Sequence, residues 1–74
     1  MQTLLNTSQK ILAQQVKARR LALNLSQEQM AFEAGIDRTY ASQIERGVSN
    51  PSLRVICAVA KVLGTSPVEL LSNK

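Results

Sequence analysis

Histidine and tryptophan are absent from this chain, and cysteine, phenylalanine and tyrosine occur once each. Without histidine, and with Cys57 alone, no zinc site can be assembled, because such a site takes about four nitrogen, sulfur or carboxylate ligands. No metal or other cofactor is expected. A lone cysteine also excludes a disulfide within the chain, which fits a reducing cytoplasm. The missing imidazole removes the commonest general base, and no glycine-rich phosphate loop stands in its place, so an enzyme is not expected. With Phe32 and Tyr40 as the aromatics, the core has to be aliphatic, which suits a small helical bundle better than a β-sandwich. No apolar run approaches the roughly 18 residues of a membrane span, and no cleavable signal pattern opens the sequence. The expected location is the cytoplasm, with no membrane partner.

What the chain does have is enough apolar content for one core and a surplus of positive charge. Its 74 residues are 45% hydrophobic, too apolar for a disordered segment. A single domain of this size buries roughly 60% of its unfolded surface. Nine Lys and Arg stand against five Asp and Glu, a net charge of +4. That excess points toward a polyanionic partner, nucleic acid more often than a membrane surface.

The apolar pattern is helical throughout, and the residues that start and stop helices are legible. In "LSQEQMAFEAG", Ser26 and Gln29 have the spacing of a capping box. Asp37 can cap the next segment. Asn50 before Pro51 is read as the opening of a further helix over "SLRVICAVAKVL". In "GTSPVELL", Ser66, Pro67 and Glu69 supply an N-cap, an N1 proline and an N3 acid. Gly35, Gly47 and Gly64 each follow a helical segment, where a left-handed residue is wanted, and Asn24 can play that part after the first helix. Five helices are therefore predicted, near 8–23, 27–34, 38–46, 52–63 and 67–71. At 100° per residue, Leu12, Val16 and Leu23 share one face of the first and Met30, Ala31 and Ala34 one face of the second. Val55, Ile56, Val59, Val62 and Leu63 form the stripe of the fourth. Cys57 lies off that stripe, as a small packing residue or a half-exposed thiol.

Helix, glycine-containing turn and helix, with about eight residues on each side, is the layout of a DNA-binding helix-turn-helix. The segment "QEQMAFEAGIDRTYASQIER" resembles the Cro/repressor-type (Xre-like) family of bacterial and phage regulators. Ala31 stands where that family keeps a small residue, Gly35 in the turn, and Ile36 and Ile44 at its buried positions. The stretches "SQEQMA", "IERG", "NPSL" and "LGTSPVELL" also match, so the resemblance spans roughly residues 10–71. Ala41 departs from it, since Val or Ile is commoner there. An aromatic after "MA", together with "DRTY", is similar to the controller proteins of restriction–modification systems, a subset of the family. The resemblance implies an all-α, lambda-repressor-like five-helix bundle, with its core near 8–71 and its helix-turn-helix at 27–46. The implied function is sequence-specific transcriptional regulation on double-stranded DNA.

The helical wheel of residues 37–46 supports that reading from the residues alone. Tyr40, Ala41 and Ile44 lie in one arc, and the remaining arc is polar. Within it Arg38 can fork onto guanine O6 and N7, Gln43 onto adenine, and Thr39 and Ser42 can bond a base edge. These four are the candidate base contacts. Glu45 is an acid on a face meant for a polyanion. In the family the corresponding acid pairs with an arginine of the first helix, and Arg20 stands at the matching place, so Arg20–Glu45 is assigned to structure. Candidate phosphate contacts are Gln27 at the start of the second helix, where free N–H groups favour an anion, then Arg46, Asn50 and Ser52. Tyr40 is placed with them, its ring either covering the core edge or sending its hydroxyl to DNA. Arg54 is open between a phosphate contact and a solvated residue, and Lys10, Lys17 and Lys61 read as solubilising charge. Phe32 falls on the outward side of its helix, either shielding the first helix or meeting a partner or the DNA backbone.

One recognition helix reads few base pairs, and proteins of this type act as dimers on pseudo-palindromes with half-sites about 34 Å apart. A homodimer is therefore expected. With no second domain in this sequence, its interface is assigned to the last helix, "PVELL", whose Val68, Leu70 and Leu71 cannot all be hidden by so short an element. The same lack argues against a small-molecule ligand. RNA polymerase stands as a further candidate partner. The rival reading is an antitoxin-like interaction module of the same fold, against which the lack of a disordered tail counts.

Overall fold

The computed structural model describes residues 2–72, with the side chain of Gln2 excepted. Its helices are α1 (Gln2–Ala22), α2 (Gln27–Ala34), α3 (Arg38–Glu45), α4 (Leu53–Val62) and α5 (Pro67–Leu70). No strand occurs among the described residues.

Side-chain caps start four of the five. At α2, Ser26 Oγ accepts the Gln29 N–H at 3.0 Å and Gln29 Oε1 accepts the Ser26 N–H at 2.9 Å, a complete capping box. Asp37 accepts the Thr39 N–H at 2.8 Å to open α3, and Ser66 accepts the Glu69 N–H at 3.2 Å to open α5. Replacing Asp37 by alanine leaves one more N–H of α3 unpaired. The expected cost is about 1 kcal/mol, read from the urea midpoint at unchanged m-value.

The fourth helix corrects the expectation built on Asn50. Its cap is Ser52, whose Oγ accepts the Val55 N–H at 3.3 Å. Pro51 is buried in the link, lining the same cavity as Leu12 and Ile44, so Asn50 belongs to the link and the helix starts after the next short polar side chain. The first helix also differs. It begins at Gln2, six residues before the predicted start at 8, because Leu5 continues the inward stripe of Leu12 and Val16 and is half-buried. It ends at Ala22, and Asn24 takes a left-handed φ of 59°. Leu23 is thereby carried off the apolar face and is exposed, while Leu25 packs against the core in its stead.

The core is aliphatic: Leu12, Val16, Met30, Ala31, Ala41, Ile44, Val59, Ala60, Leu63 and Leu70. α3 packs on α1 and α2, α4 packs behind α2, and α5 closes the end formed by α1 and α4. Leu70 corrects the assignment of the dimer surface. It is completely buried within the subunit, on the face it shares with Pro67 one turn earlier. Val68 and Leu71, also three residues apart, are turned away from it and are 76% and 42% exposed. Polar ties from α1 hold α5 in place: Arg19 reaches Glu69 at 3.6 Å, and the Gln15 amide donates to the Ser72 carbonyl at 3.2 Å.

Candidate nucleic-acid interface

The turn between α2 and α3 sets the angle at which α3 is presented. Gly35 ends α2 at φ 72°, its N–H donating to the carbonyls of Ala31 and Phe32. Ile36 then donates to the Ala31 carbonyl at 2.9 Å and is half-buried against the core. A left-handed residue at this place suits glycine, which has no Cβ to strain. Ala41 and Ile44 bury the inner side of α3.

The outer side carries the four candidate base contacts. Arg38 and Thr39 are exposed, Ser42 and Gln43 half-exposed. Three of them, Arg38, Thr39 and Ser42, join Gln27 in lining an open notch of about 170 Å³. The structure thus brings the start of α2 alongside the outer face of α3. The first N–H groups of a helix have no partners within it and carry the positive end of its dipole. A phosphate resting against α2 and a base edge meeting α3 would be held from one concave surface.

Glu45, the acid of this helix, is withdrawn from that surface. Arg20 Nε donates to Glu45 Oε2 at 2.6 Å and Nη2 to Oε1 at 3.0 Å, a two-pronged bridge. The two side chains are only 10% and 3% exposed. A third arm, Arg20 Nη1, donates to the Leu25 carbonyl at 2.7 Å. The hydrogen bond to Glu45 holds the guanidinium pKa above its ordinary value, and the charge of Glu45 adds to it, against the opposing pull of burial. The Gln27 amide also donates to Glu45 Oε1, at 3.1 Å. That bond is a role for Gln27 which sequence reasoning missed, since nothing marks two residues on different helices as neighbours before the helices are packed. Among the described residues, that is the hydrogen bond made by the Gln27 side chain, and its Oε1 accepts none.

Beyond α3, Arg46 is exposed and Gly47 turns the chain at φ 73°. The link is anchored by Gln9, whose amide donates to the Ser49 carbonyl at 2.7 Å. Asn50 and Ser52 are exposed beside it, and the cap made by Ser52 leaves its hydroxyl hydrogen available. Tyr40 is half-buried with its ring packed on the core. No hydrogen bond among the described residues holds its hydroxyl. Phe32 is 84% exposed, so the alternative in which it shields α1 is overturned. Cys57 is an exposed thiol rather than a packing residue. Among the described residues no group of three His, Cys, Asp or Glu could hold a metal ion, and no helix is long and apolar enough to cross a membrane.

Two short helices joined by a glycine turn, the second presenting polar donors outward, define a helix-turn-helix unit. The chain matches the helix-turn-helix family HTH_3 over residues 16–70 and belongs to that family, as a DNA-binding transcriptional regulator. It is 45% identical over 67 residues to the control protein C.BamHI of Bacillus amyloliquefaciens, across 89% of this chain and 83% of that relative. Its identity to the control protein C.SmaI of Serratia marcescens is 42% over 64 residues, covering 86% and 76% of the two chains. Its structure resembles the restriction–modification controller protein C.AhdI from Aeromonas hydrophila, with a TM-score of 0.80 and 40% identity over 84% of this chain and 94% of that one.

Proposed function

We propose that the protein is a controller-type regulator that binds a pseudo-palindromic operator as a homodimer, each subunit laying α3 in the major groove. The observation that carries this reading is the division of charge on α3. Glu45 is drawn inward by Arg20, while Arg38, Thr39, Ser42 and Gln43 stay accessible. In this reading the described residues work as one DNA-binding domain with its helix-turn-helix at 27–46. Arg38 and Gln43 read purine edges in the major groove, and Thr39 and Ser42 bond neighbouring bases. Gln27, Arg46, Asn50, Ser52 and the free hydroxyl of Tyr40 position the protein on phosphates, which fix register without reading sequence. Val68 and Leu71 contribute the apolar part of the contact between subunits. The protein acts in the cytoplasm, where its DNA lies.

The test is a footprint on the DNA upstream of the protein's own reading frame. Two protected half-sites related by a dyad, about one helical turn apart or a multiple of it, are expected. An unsymmetrical single patch, or no protection, would refute the dimeric operator reading. The place of the site relative to the promoter decides between excluding RNA polymerase and contacting it. Within the complex, Arg46→Ala should weaken binding to all sequences alike. The slope of log Kobs against log salt should become shallower by about two, one for each subunit, and an unchanged slope would remove Arg46 from the phosphate contacts.

A further inference from the structure

Four of the eight Lys and Arg among the described residues already have a place. Arg19 and Arg20 are held by Glu69 and Glu45, and Arg38 and Arg46 belong to the proposed DNA face. Lys10 and Lys17 belong to neither group. They lie on α1 with Ala13 between them, at the three- and four-residue spacings that put side chains on one helix face. Ala13 is the residue that this face turns toward the exit of α3. A side chain begun on Gly47 would meet the Ala13 methyl at 3.7 Å and the Gln9 carbonyl oxygen at 3.6 Å. The Gln9 amide fixes the same turn of α1 to the Ser49 carbonyl at 2.7 Å. Lys10 therefore stands at the level of the segment that carries Arg46 and Asn50, and Lys17 one turn beyond Ala13 along α1.

Among the described residues no ionic partner neutralises them, and both are exposed. The whole of α1, Gln2–Ala22, contains no acidic residue. Positions three and four away from each lysine are Asn6, Thr7, Ala13, Gln14, Arg20 and Leu21. A charged helix face that serves solubility commonly mixes signs, with acids and bases paired one turn apart. A one-signed pair beside the exit of a recognition helix suits a polyanion.

We propose that Lys10 and Lys17 grip backbone phosphates, so that α1 forms a ridge on the DNA beside the groove α3 enters. Seven residues of helix rise about 10 Å, which sets the two ammonium groups far enough apart to meet separate phosphates. Each ammonium is a compact charge on a flexible stem, suited to an oxygen of a phosphate and unable to read a base by a two-pronged fork. The contact adds affinity at every sequence and lengthens the footprint beyond the helix-turn-helix. It rests on the DNA-binding reading above.

The test measures log Kobs against log salt for the full chain on two duplexes of equal length, the footprinted upstream DNA and a mixed sequence. Lys10→Gln and Lys17→Gln should each make the slope shallower by about 1.8, one phosphate lost per subunit of the dimer, and the double variant by the sum, with equal loss on both duplexes and unchanged urea midpoints. Lys61→Gln removes the same charge at the far end of α4 and should leave the slope as it is. Wild-type slopes retained by both α1 variants would overturn the ridge while leaving DNA binding by α3 intact. A shift as large in Lys61→Gln would also overturn it, as an effect of net charge. Absence of binding by the unaltered protein would overturn both readings together.

Discussion

Arg20→Ala is expected to lower the free energy of unfolding by about 3–5 kcal/mol, the cost of removing one partner of a buried ion pair. The substitution leaves the Glu45 carboxylate in place, 3% exposed, with the Gln27 amide as its remaining partner. It also strips the Leu25 carbonyl of the Arg20 arm that holds the α1–α2 joint. An exposed ion pair would cost about 1 kcal/mol or less, so the size of the loss tells which kind this is. A domain has about 5–15 kcal/mol of stability in total, and this one, with 74 residues, has a small core to draw on. The variant should therefore unfold at much lower urea and lose DNA binding because α3 is no longer held. Replacing both residues by apolar ones of similar volume, Arg20→Met with Glu45→Leu, should recover most of the stability, since no charge is then stranded. Urea unfolding followed by circular dichroism checks both. A single substitution costing under 1 kcal/mol, or a double variant as unstable as the single, would refute the account.

The double variant also separates two tasks that the ion pair performs. Stability can be restored without charges, but the Gln27 amide then has no carboxylate to meet. Gln27 would be free to turn away from the notch it lines with Arg38, Thr39 and Ser42. A refolded double variant with weakened DNA binding would locate the function of the pair in orienting Gln27, beyond its part in joining α1 to α3.

Helices α2 to α5 were legible because each is bracketed by short polar residues and glycines whose side-chain or backbone chemistry acts locally. The start of α1 was not, since nothing near Gln2 caps a helix and the half-buried Leu5 belongs to an inward stripe that runs past the end of the bundle. Ser52 and Asn50 are both good caps, and the burial of Pro51 in the link, a matter of packing, decided between them. In α5 one turn offers no periodicity, so the buried Leu70 could not be told from the exposed Val68 and Leu71 by spacing alone. The polar face of α3 followed from its helical wheel. The Arg20–Glu45 pair came through the family resemblance, because the wheel shows only that Arg20 borders an apolar arc. The Gln27–Glu45 bond joins two helices and had no local signal.

Arg38→Ala is the second large effect, an expected loss of about 1–3 kcal/mol of specific binding at each half-site, with preference relaxed at one base pair. Arg38 is the first residue of α3, exposed and without an ion pair among the described residues. Its neighbour Asp37 is occupied with the Thr39 N–H, so the guanidinium is available to a guanine edge. In a homodimer the loss falls on both half-sites, and the affinity for the whole operator drops by the square of the single-site factor. The signature lies in the pattern more than the size. Binding to a panel of operators, each changed at one base pair, should show a flattened response at the Arg38 position and an unchanged one elsewhere. Arg38→Lys divides charge from shape: the ammonium keeps the salt slope, while the lost two-pronged fork flattens the same position. Curves displaced in parallel across the panel would make Arg38 a phosphate contact, and the reading of sequence would then have to rest on Gln43, Ser42 and Thr39.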